Sequence, residues 1–245
     1  MSEIVKTEAV VLNKIDYRDT SVIASLYTED LGKISAIVKG ARSTKSKIGR
    51  IVDPLNHLRV ILYKKETRDV QLVSDAEIIS HFARLKENLL ALKYSYSIIE
   101  LVHKLTPVDE QNKRIFRGIV RILSLLEKGE EKPEILFGKF FIFLMKETGY
   151  EIQFKKCSVC GKRELKNMVN GFNWDTGILC VKCKEEKIDN YRIKPELFDY
   201  LNCLKSTKLV PAVSDSIIID ANKFFETYLK FHVPDFKEIQ TFKSF

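Results

Sequence analysis

The chain has 245 residues, of which 45% are hydrophobic and 10% aromatic, and its 41 Lys and Arg residues outnumber its 33 Asp and Glu residues. This apolar share is enough for a sizeable core and excludes an intrinsically disordered chain. The sequence has no signal-peptide pattern and no apolar run of about 18 residues, which predicts a cytoplasmic protein without membrane contact. The net charge of +8 gives mild support for a polyanionic partner.

The first 80 residues have the pattern of short strands. Five segments are rich in β-branched and aromatic residues, and several alternate apolar with polar side chains, as half-buried strands do. The motif EDLGK, with Gly32, favours a hairpin turn between the second and third strands. Five short strands with a long loop after the third predict a small closed barrel, of which the OB-fold is the best-known example. The predicted strands are 4–14, 21–29, 33–40, 58–65 and 71–79.

The long loop contains the basic stretch VKGARSTKSKIGR, residues 38–50, and no acidic residue occurs between Asp30 and Asp53. Such a loop favours contact with a phosphate backbone, because each lysine or arginine that neutralises a phosphate releases a counterion. An ordinary solvated loop is the alternative. OB-folds also stack bases on aromatic rings, and Tyr17 and Tyr27 are either such platforms or packing residues. The predicted DNA-binding residues are Lys39, Arg42, Lys45, Lys47 and Arg50.

The remainder of the chain is predicted to be mainly helical. Apolar residues recur at three- and four-residue steps, which is the pattern of amphipathic helices. We therefore predict an OB-fold domain at 1–80 and a helical domain at 81–245. The predicted helices are 81–105, 109–130 and 132–150, with two more that begin near Pro195 and after Ser214 as the N-cap.

Four of the five cysteines form two C-x2-C pairs separated by nineteen residues, a spacing typical of four-cysteine zinc sites. Two residues between ligands allow a tight turn to place both sulfurs on one metal, and four thiolates leave no open position for water. The pattern therefore predicts one structural Zn²⁺ in a module at about 152–192. A rubredoxin-like iron site or a redox dithiol remains the alternative. The predicted ligands are Cys157, Cys160, Cys180 and Cys183.

Sequence motifs of the common enzyme classes are missing. The chain contains no G-x-x-x-x-G-K-[ST], G-x-G-x-x-G, G-x-S-x-G or H-E-x-x-H motif. Its four histidines fall in unrelated segments. We therefore predict a binding protein rather than an enzyme.

Three features together resemble the RecO family of bacterial recombination mediators over nearly the full length. They are KTEAVVL at 6–12, YTEDLGKISAIVKGARSTKS at 27–46, and the four cysteines. The resemblance implies an α+β fold: an N-terminal five-stranded OB-fold barrel followed by an α-helical domain with a four-cysteine zinc-ribbon-like insertion. Arg18 and Asp19 depart from the pattern, because the family often has glycine and glutamate after the tyrosine.

The resemblance also implies a function in DNA repair and homologous recombination. Such a mediator would bind single- and double-stranded DNA and anneal complementary strands. With RecR, it would help to load RecA onto strands coated by single-stranded-DNA-binding protein, at the bacterial nucleoid. Two alternatives stand beside this interpretation: a zinc-ribbon adaptor that acts mainly through protein–protein contacts, and a thiol or iron redox protein.

Overall fold

The structure is a computed structural model that describes residues 3–163, 169–184, 191–206 and 213–244. The chain divides into two compact units. The first comprises Met1–Pro133 and Gln240–Phe245, and the second comprises Glu134–Ile239. The domain bounds predicted from the sequence, 1–80 and 81–245, mark the change from strands to helices. The two compact units divide the chain on a different basis, so these bounds stay a prediction.

The first unit begins with a closed barrel of five strands. Neighbours pair in the order β1-β2-β3-β5-β4, and β4 pairs with β1 to close the ring. Every pairing is antiparallel except that of β3 with β5, which is parallel. The predicted five-stranded barrel is therefore confirmed. The strands are β1 (Glu3–Tyr17), β2 (Ser21–Thr28), β3 (Gly32–Val38), β4 (His57–Lys64) and β5 (Val70–Ser80).

Along these strands, side chains point alternately into the barrel and outward, and the inward ones fill its core. In β3, every second residue from Gly32 to Val38 is buried, and the residues between them are partly exposed. The inward set consists of small and β-branched residues, which suit the narrow interior of a five-stranded barrel. The core includes Ala9, Val11, Val22, Ala24, Leu26, Ile34, Ala36, Leu58, Val60 and Leu62.

Helices follow the barrel, as predicted. Asn88 divides the first predicted helix in two, because its side chain accepts a hydrogen bond from Ala91 N and caps a new helix. The expectation of one continuous helix at 81–105 was wrong for this reason. The helices of the first unit are α1 (Lys47–Ile51), α2 (Ala83–Glu87), α3 (Leu89–Leu105), α4 (Lys113–Lys128) and α9 (Thr241–Ser244).

The second unit combines helices with a small hairpin. Pro133 begins α5, and Ser214 is the N-cap of α8, as predicted. The elements of this unit are α5 (Pro133–Glu147), whose first residue still belongs to the first unit, β6 (Val169–Asn173), β7 (Gly177–Cys180), α6 (Val181–Lys184), α7 (Pro195–Cys203) and α8 (Asp215–His232). In the parts of the chain that the structure describes, none of the helices has the length and hydropathy needed to cross a bilayer.

Within the first unit, the end of α3 and the segment after it lie on the outer face of β2 and β3. Ser25 Oγ lies 3.0 Å from His103 Nδ1, and Lys33 Nζ donates to the His103 carbonyl at 2.6 Å. The Lys33 carbonyl accepts a hydrogen bond from Asp109 N at 2.9 Å. Tyr27, opposite Lys33 in the ladder, is only 1% exposed. The outer face is therefore covered at this end of the two strands.

The C-terminal segment of the first unit is tied to α3 by one carboxylate. Glu100 accepts from the backbone N–H groups of Gln240 and Thr241 at 2.8 and 2.9 Å, and from Thr241 Oγ1 at 2.6 Å. Lys104 Nζ lies 2.7 Å from the same carboxylate. Burial acts to raise the pKa of Glu100, but the hydrogen bonds from Lys104, Thr241 and Gln240 outweigh it and hold the pKa below its ordinary value.

A first prediction concerns the β2–β3 turn. Gly32 has φ +69°, and a side chain there would overlap the carbonyl of Glu110. Gly40 has nearly the same backbone, with φ +66°, but nothing lies within 4 Å of the position that a Cβ would take. We expect Gly32→Ala to lower the free energy of unfolding by about 3 kcal/mol or more, and Gly40→Ala by about 1–2 kcal/mol, in urea titrations. Equal losses would contradict the packing argument.

A second prediction concerns acid stability. A carboxylate whose folded pKa is depressed stabilises the fold above its unfolded pKa, and this contribution is lost as the pH falls through the folded pKa. We expect Glu100→Gln to lower stability by about 2 kcal/mol at pH 7. The difference from wild type should shrink in melting curves below about pH 4. Exposed Glu130, changed to Gln, is the control, and a pH-independent difference would contradict the assignment.

Candidate nucleic-acid interface and metal centre

The basic stretch is part of the connection between β3 and β4, and its apolar residues pack against the barrel core. Residues 39–46 form successive turns, and Ser46 then caps α1, with its Oγ accepting from Gly49 N at 3.1 Å. Gly49 lies so close to Ala41 that a side chain would overlap the Ala41 carbonyl. Ala41 and Val52 are buried, and Ile48 packs against the barrel core. The polar side chains of the connection are therefore held at the rim of the barrel.

Arg42 fastens this connection to the β1–β2 hairpin. Its backbone N donates to the Thr20 carbonyl at 2.9 Å, and its Nη1 donates to the Arg18 carbonyl at 3.1 Å. Its Nε lies 3.3 Å from an Asp16 carboxylate oxygen. The ion pair is solvent-exposed and contributes little by itself, but the three contacts together fix the position of the loop against the hairpin.

All five predicted DNA-binding residues are exposed, and the structure places them in this one connection. Lys39, Arg42 and Lys45 lie in the turns, whereas Lys47 and Arg50 lie on α1. The long connection predicted after the third strand therefore contains a short helix that was not predicted. Arg50 Nε donates to the Ser46 carbonyl at 3.2 Å. Within the described ranges, the side chains of Lys39, Lys45 and Lys47 have no hydrogen-bond or ion-pair partner.

The two candidate stacking residues have different environments. Tyr27 is buried, and burial raises its pKa to about 12, so its ring is closed to a base. Tyr17 is half-buried at the tip of the β1–β2 hairpin, with the Arg18 guanidinium 5.2 Å from its ring centroid. Arg18 was not among the predicted site residues. Its position directly after an aromatic residue, in the short turn between β1 and β2, is the signal that the sequence offers.

The candidate metal centre lies in the second unit and is formed by a turn, the end of a strand and a short helix. Cys157 and Cys160 belong to a turn in which Gly161 N donates to the Cys157 carbonyl at 3.0 Å. Cys180 ends β7, and Cys183 lies on α6. Ser158 N donates to the Ile178 carbonyl at 2.9 Å and joins the first turn to β7. Parts of the predicted module, 164–168 and 185–190, lie outside the described residues.

The four Sγ atoms lie within 4.8 Å of one another, so they could hold a metal ion. The Sγ atoms of Cys160 and Cys180 are 3.8 Å apart, and none of the cysteines forms a disulfide. A tetrahedral ion with metal–sulfur bonds of about 2.3 Å separates its ligands by about 3.8 Å, so this pair fits such an ion without movement. Cys157, Cys180 and Cys183 are buried, and Cys160 is exposed.

Hydrogen bonds already favour a thiolate at one position of the cluster. Burial acts to raise the pKa of Cys157, but the backbone N–H groups of Cys160 and Cys180 outweigh it and lower the pKa to about 6. Cys180 N is 3.5 Å from Cys157 Sγ. The neighbouring thiols, Cys180 first, raise the pKa of Cys183 to about 12. Four thiols this close cannot all ionise alone, and a divalent cation would stabilise them together.

Aromatic packing anchors the cysteine hairpin to α8. Phe172 of β6 is 1% exposed and packs edge-to-face on Phe224, with ring centroids 5.0 Å apart. Trp174 follows the strand and lies 5.4 Å from Phe224, and its carbonyl is 2.8 Å from His232 Nε2. The hairpin that carries Cys180 is thus positioned by a packed core as well as by the cysteines.

Two family models match the chain. The first, "Recombination protein O N terminal", matches residues 1–82, and the second, "Recombination protein O C terminal", matches residues 86–238. The first match covers the barrel with its basic connection, and the second covers the four cysteines.

Three relatives carry the name DNA repair protein RecO. The protein of Caldicellulosiruptor saccharolyticus is 28% identical over 94% of this chain and 91% of its own length. That of Caldicellulosiruptor bescii is 30% identical over 75% and 74%, and that of Alkaliphilus metalliredigens is 29% identical over 94% of each chain. Both RecO family models match, and the N-terminal barrel is the OB-fold of that family. The chain therefore belongs to the RecO family of DNA repair proteins.

Proposed function

We propose that the protein is a non-enzymatic mediator of DNA repair that binds single- and double-stranded DNA and anneals complementary strands. With RecR, it would help to load RecA onto strands coated by single-stranded-DNA-binding protein, in the bacterial cytoplasm at the nucleoid. Membership of the RecO family supports the general function. The finer activities are proposals that rest on the barrel and its basic connection.

The observation that carries the proposal is the arrangement of charge on the barrel rim. Lys39, Lys45 and Lys47 are exposed, and in the described part of the chain their ammonium groups have no partner to neutralise them. The backbone around them is fixed by Ser46, Gly49 and Arg42. Cations on a preorganised backbone can bind a polyanion with little loss of chain entropy.

Annealing needs no nucleotide chemistry. Two DNA strands repel each other through their phosphates, and a basic surface that neutralises phosphates lowers that repulsion. Base pairing then supplies the favourable free energy. A site for ATP is therefore unnecessary for the proposed activity.

We further propose that the metal is one structural Zn²⁺. Zinc bound by four cysteines is tetrahedral and closed to substrate, and when bound it would link the first turn to β7 and α6. Cys157, Cys160, Cys180 and Cys183 would be its ligands, and the 3.8 Å spacing of two of their sulfurs supports this geometry. The cysteines would then stabilise the fold of the hairpin rather than take part in DNA chemistry.

A third prediction tests the basic connection. We expect the combined Lys39→Ala, Lys45→Ala and Lys47→Ala variant to weaken binding of a fluorescent oligo-dT, measured by anisotropy across a salt series. The slope of log affinity against log salt should fall by about 0.7 for each lysine that contacts a phosphate. Folding should not change, because in the described part of the chain these side chains form no hydrogen bond or ion pair with the barrel.

The control for this variant removes the same charge elsewhere. Its substitutions are at exposed lysines on helices or beside them, Lys128, Lys132 and Lys223, each changed to Ala. If both triple variants lose affinity equally, only net charge matters and the rim is not the DNA site. If wild type shows little DNA binding near physiological salt but forms a stable protein complex, the zinc-ribbon adaptor is the better assignment.

A fourth prediction tests the metal. We expect Cys157→Ser to lose zinc, measured by inductively coupled plasma mass spectrometry, and to lower the melting temperature by about 10 °C. Cys203→Ser, at the fifth cysteine and outside the cluster, should retain one zinc per chain and melt like wild type. A Cys157→Ser protein that melts unchanged would contradict a structural metal. A coloured wild-type protein that contains iron would contradict zinc.

A further inference from the structure

The outer face of β2 and β3 is the surface on which OB-folds bind oligonucleotides, together with the β1–β2 and β4–β5 loops. In this protein one end of that face is covered. His103 lies on Ser25 and Lys33, Asp109 pairs with the Lys33 backbone, and Tyr27 is buried. Burial also lowers the pKa of Lys33. A single strand therefore cannot follow the whole length of these strands without displacing α3.

The other end of the same face is open. Ile15 of β1 lies opposite Ile23 of β2, and Ile23 lies opposite Ile37 of β3. Residues directly opposite each other share one face of a sheet. Ile15 is 56% exposed, and Ile23 and Ile37 are half-buried. Tyr17 lies two residues beyond Ile15 on the same face, opposite Ser21. An apolar patch with one aromatic ring thus ends at the hairpin tip.

Positive charge borders this patch. Lys39 follows Ile37 by two residues and is exposed, and Arg18 is exposed at the hairpin tip. Arg42 pairs with Asp16, whose side chain lies on the other side of the hairpin, and so neutralises that negative charge. An apolar and aromatic surface bordered by cations has the chemistry of a single-strand site, where bases stack and phosphates are neutralised.

The backbone conformation of Arg18 independently supports a functional role for the hairpin tip. Its φ is +52°, in the left-handed region that favours glycine. A side chain there costs about 1–2 kcal/mol, and residues held in such conformations cluster at functional sites. In return, the guanidinium lies over the Tyr17 ring at 5.2 Å. The guanidinium therefore covers one face of the ring at the exposed tip, and a base that stacks on this face must displace it.

We propose that a single DNA strand crosses the barrel at the β1–β2 hairpin, where a base takes the place of the Arg18 guanidinium on the Tyr17 ring and phosphates bind Arg18 and Lys39. The proposal rests on the DNA-binding function proposed above and specifies its path. Stacking requires an unpaired base, so Tyr17 contributes to single strands only. Arg18 contacts phosphate and contributes through its charge.

The experiment compares variants by fluorescence anisotropy with a labelled oligo-dT and with a labelled duplex of equal length, over a salt series. Tyr17→Ala should weaken oligo-dT binding about 10-fold, within the range for loss of one base–aromatic stack, and leave the salt slope and duplex affinity unchanged. Tyr17→Phe should bind like wild type. The matched control is Tyr63→Ala, at another partly exposed tyrosine of the barrel, 37% exposed on β4. It should also bind like wild type.

Arg18→Gly separates a binding role from a structural one. It should raise the melting temperature, because glycine relieves the left-handed backbone, and lower the oligo-dT salt slope by about 0.7. This variant keeps the test decisive if Tyr17→Ala fails to fold, as judged by circular dichroism.

Three results would overturn the proposed path. They are unchanged oligo-dT affinity in Tyr17→Ala, an equal loss for oligo-dT and duplex, and an unchanged salt slope in Arg18→Gly. In these cases wild type still binds DNA, and the general function stands. A wild-type protein that binds neither oligo-dT nor duplex would instead overturn the proposed function, and the path with it.

Discussion

The parallel pairing of β3 with β5 is the constraint on which the barrel and its candidate site depend. It involves only Ser35–Ile37 with Val70–Leu72, yet without it the sheet stays open. Parallel neighbours cannot be joined by a tight turn, so the chain must leave β3 and return through a longer connection. Residues 39–56 form the first part of that connection, and their apolar residues pack against the barrel core. The geometry that completes the sheet thus also places the basic residues at its rim.

Sequence patterns predicted the features that depend on nearby residues. Alternation marked the strands, and the C-x2-C spacing marked a cluster whose sulfurs lie within 4.8 Å. The division at Asn88 was missed because the apolar stripe continues through it, and α1 was missed because five residues with a central glycine carry no periodic signal. Tyr27 is buried, and Lys33 opposite it is hydrogen-bonded to His103 and Asp109, which are far away along the chain. No local pattern contains that information.

The two ends of the barrel's outer face have different roles, internal packing at one end and exposure to solvent at the other. Toward the β2–β3 turn, side chains such as Lys33 and Ser25 serve internal packing and hydrogen bonds to α3. Toward the β1–β2 hairpin, the neighbouring positions on the same strands stay open to solvent, and the basic connection borders them. Gly32 lies at the covered end, where the backbone of Glu110 approaches so closely that a side chain at this position would overlap it.

The division of the chain also sets an order of events during synthesis. The second unit is an insertion, since Glu134–Ile239 lies between two parts of the first. At about 5–20 residues per second, the ribosome needs several seconds to pass through such a segment. The barrel is made first, but Glu100 can meet Gln240 and Thr241 only after the inserted segment has been made. Until then the Glu100 carboxylate lacks three of its hydrogen bonds. The full stability of the first unit is therefore reached only after the second unit has been synthesised.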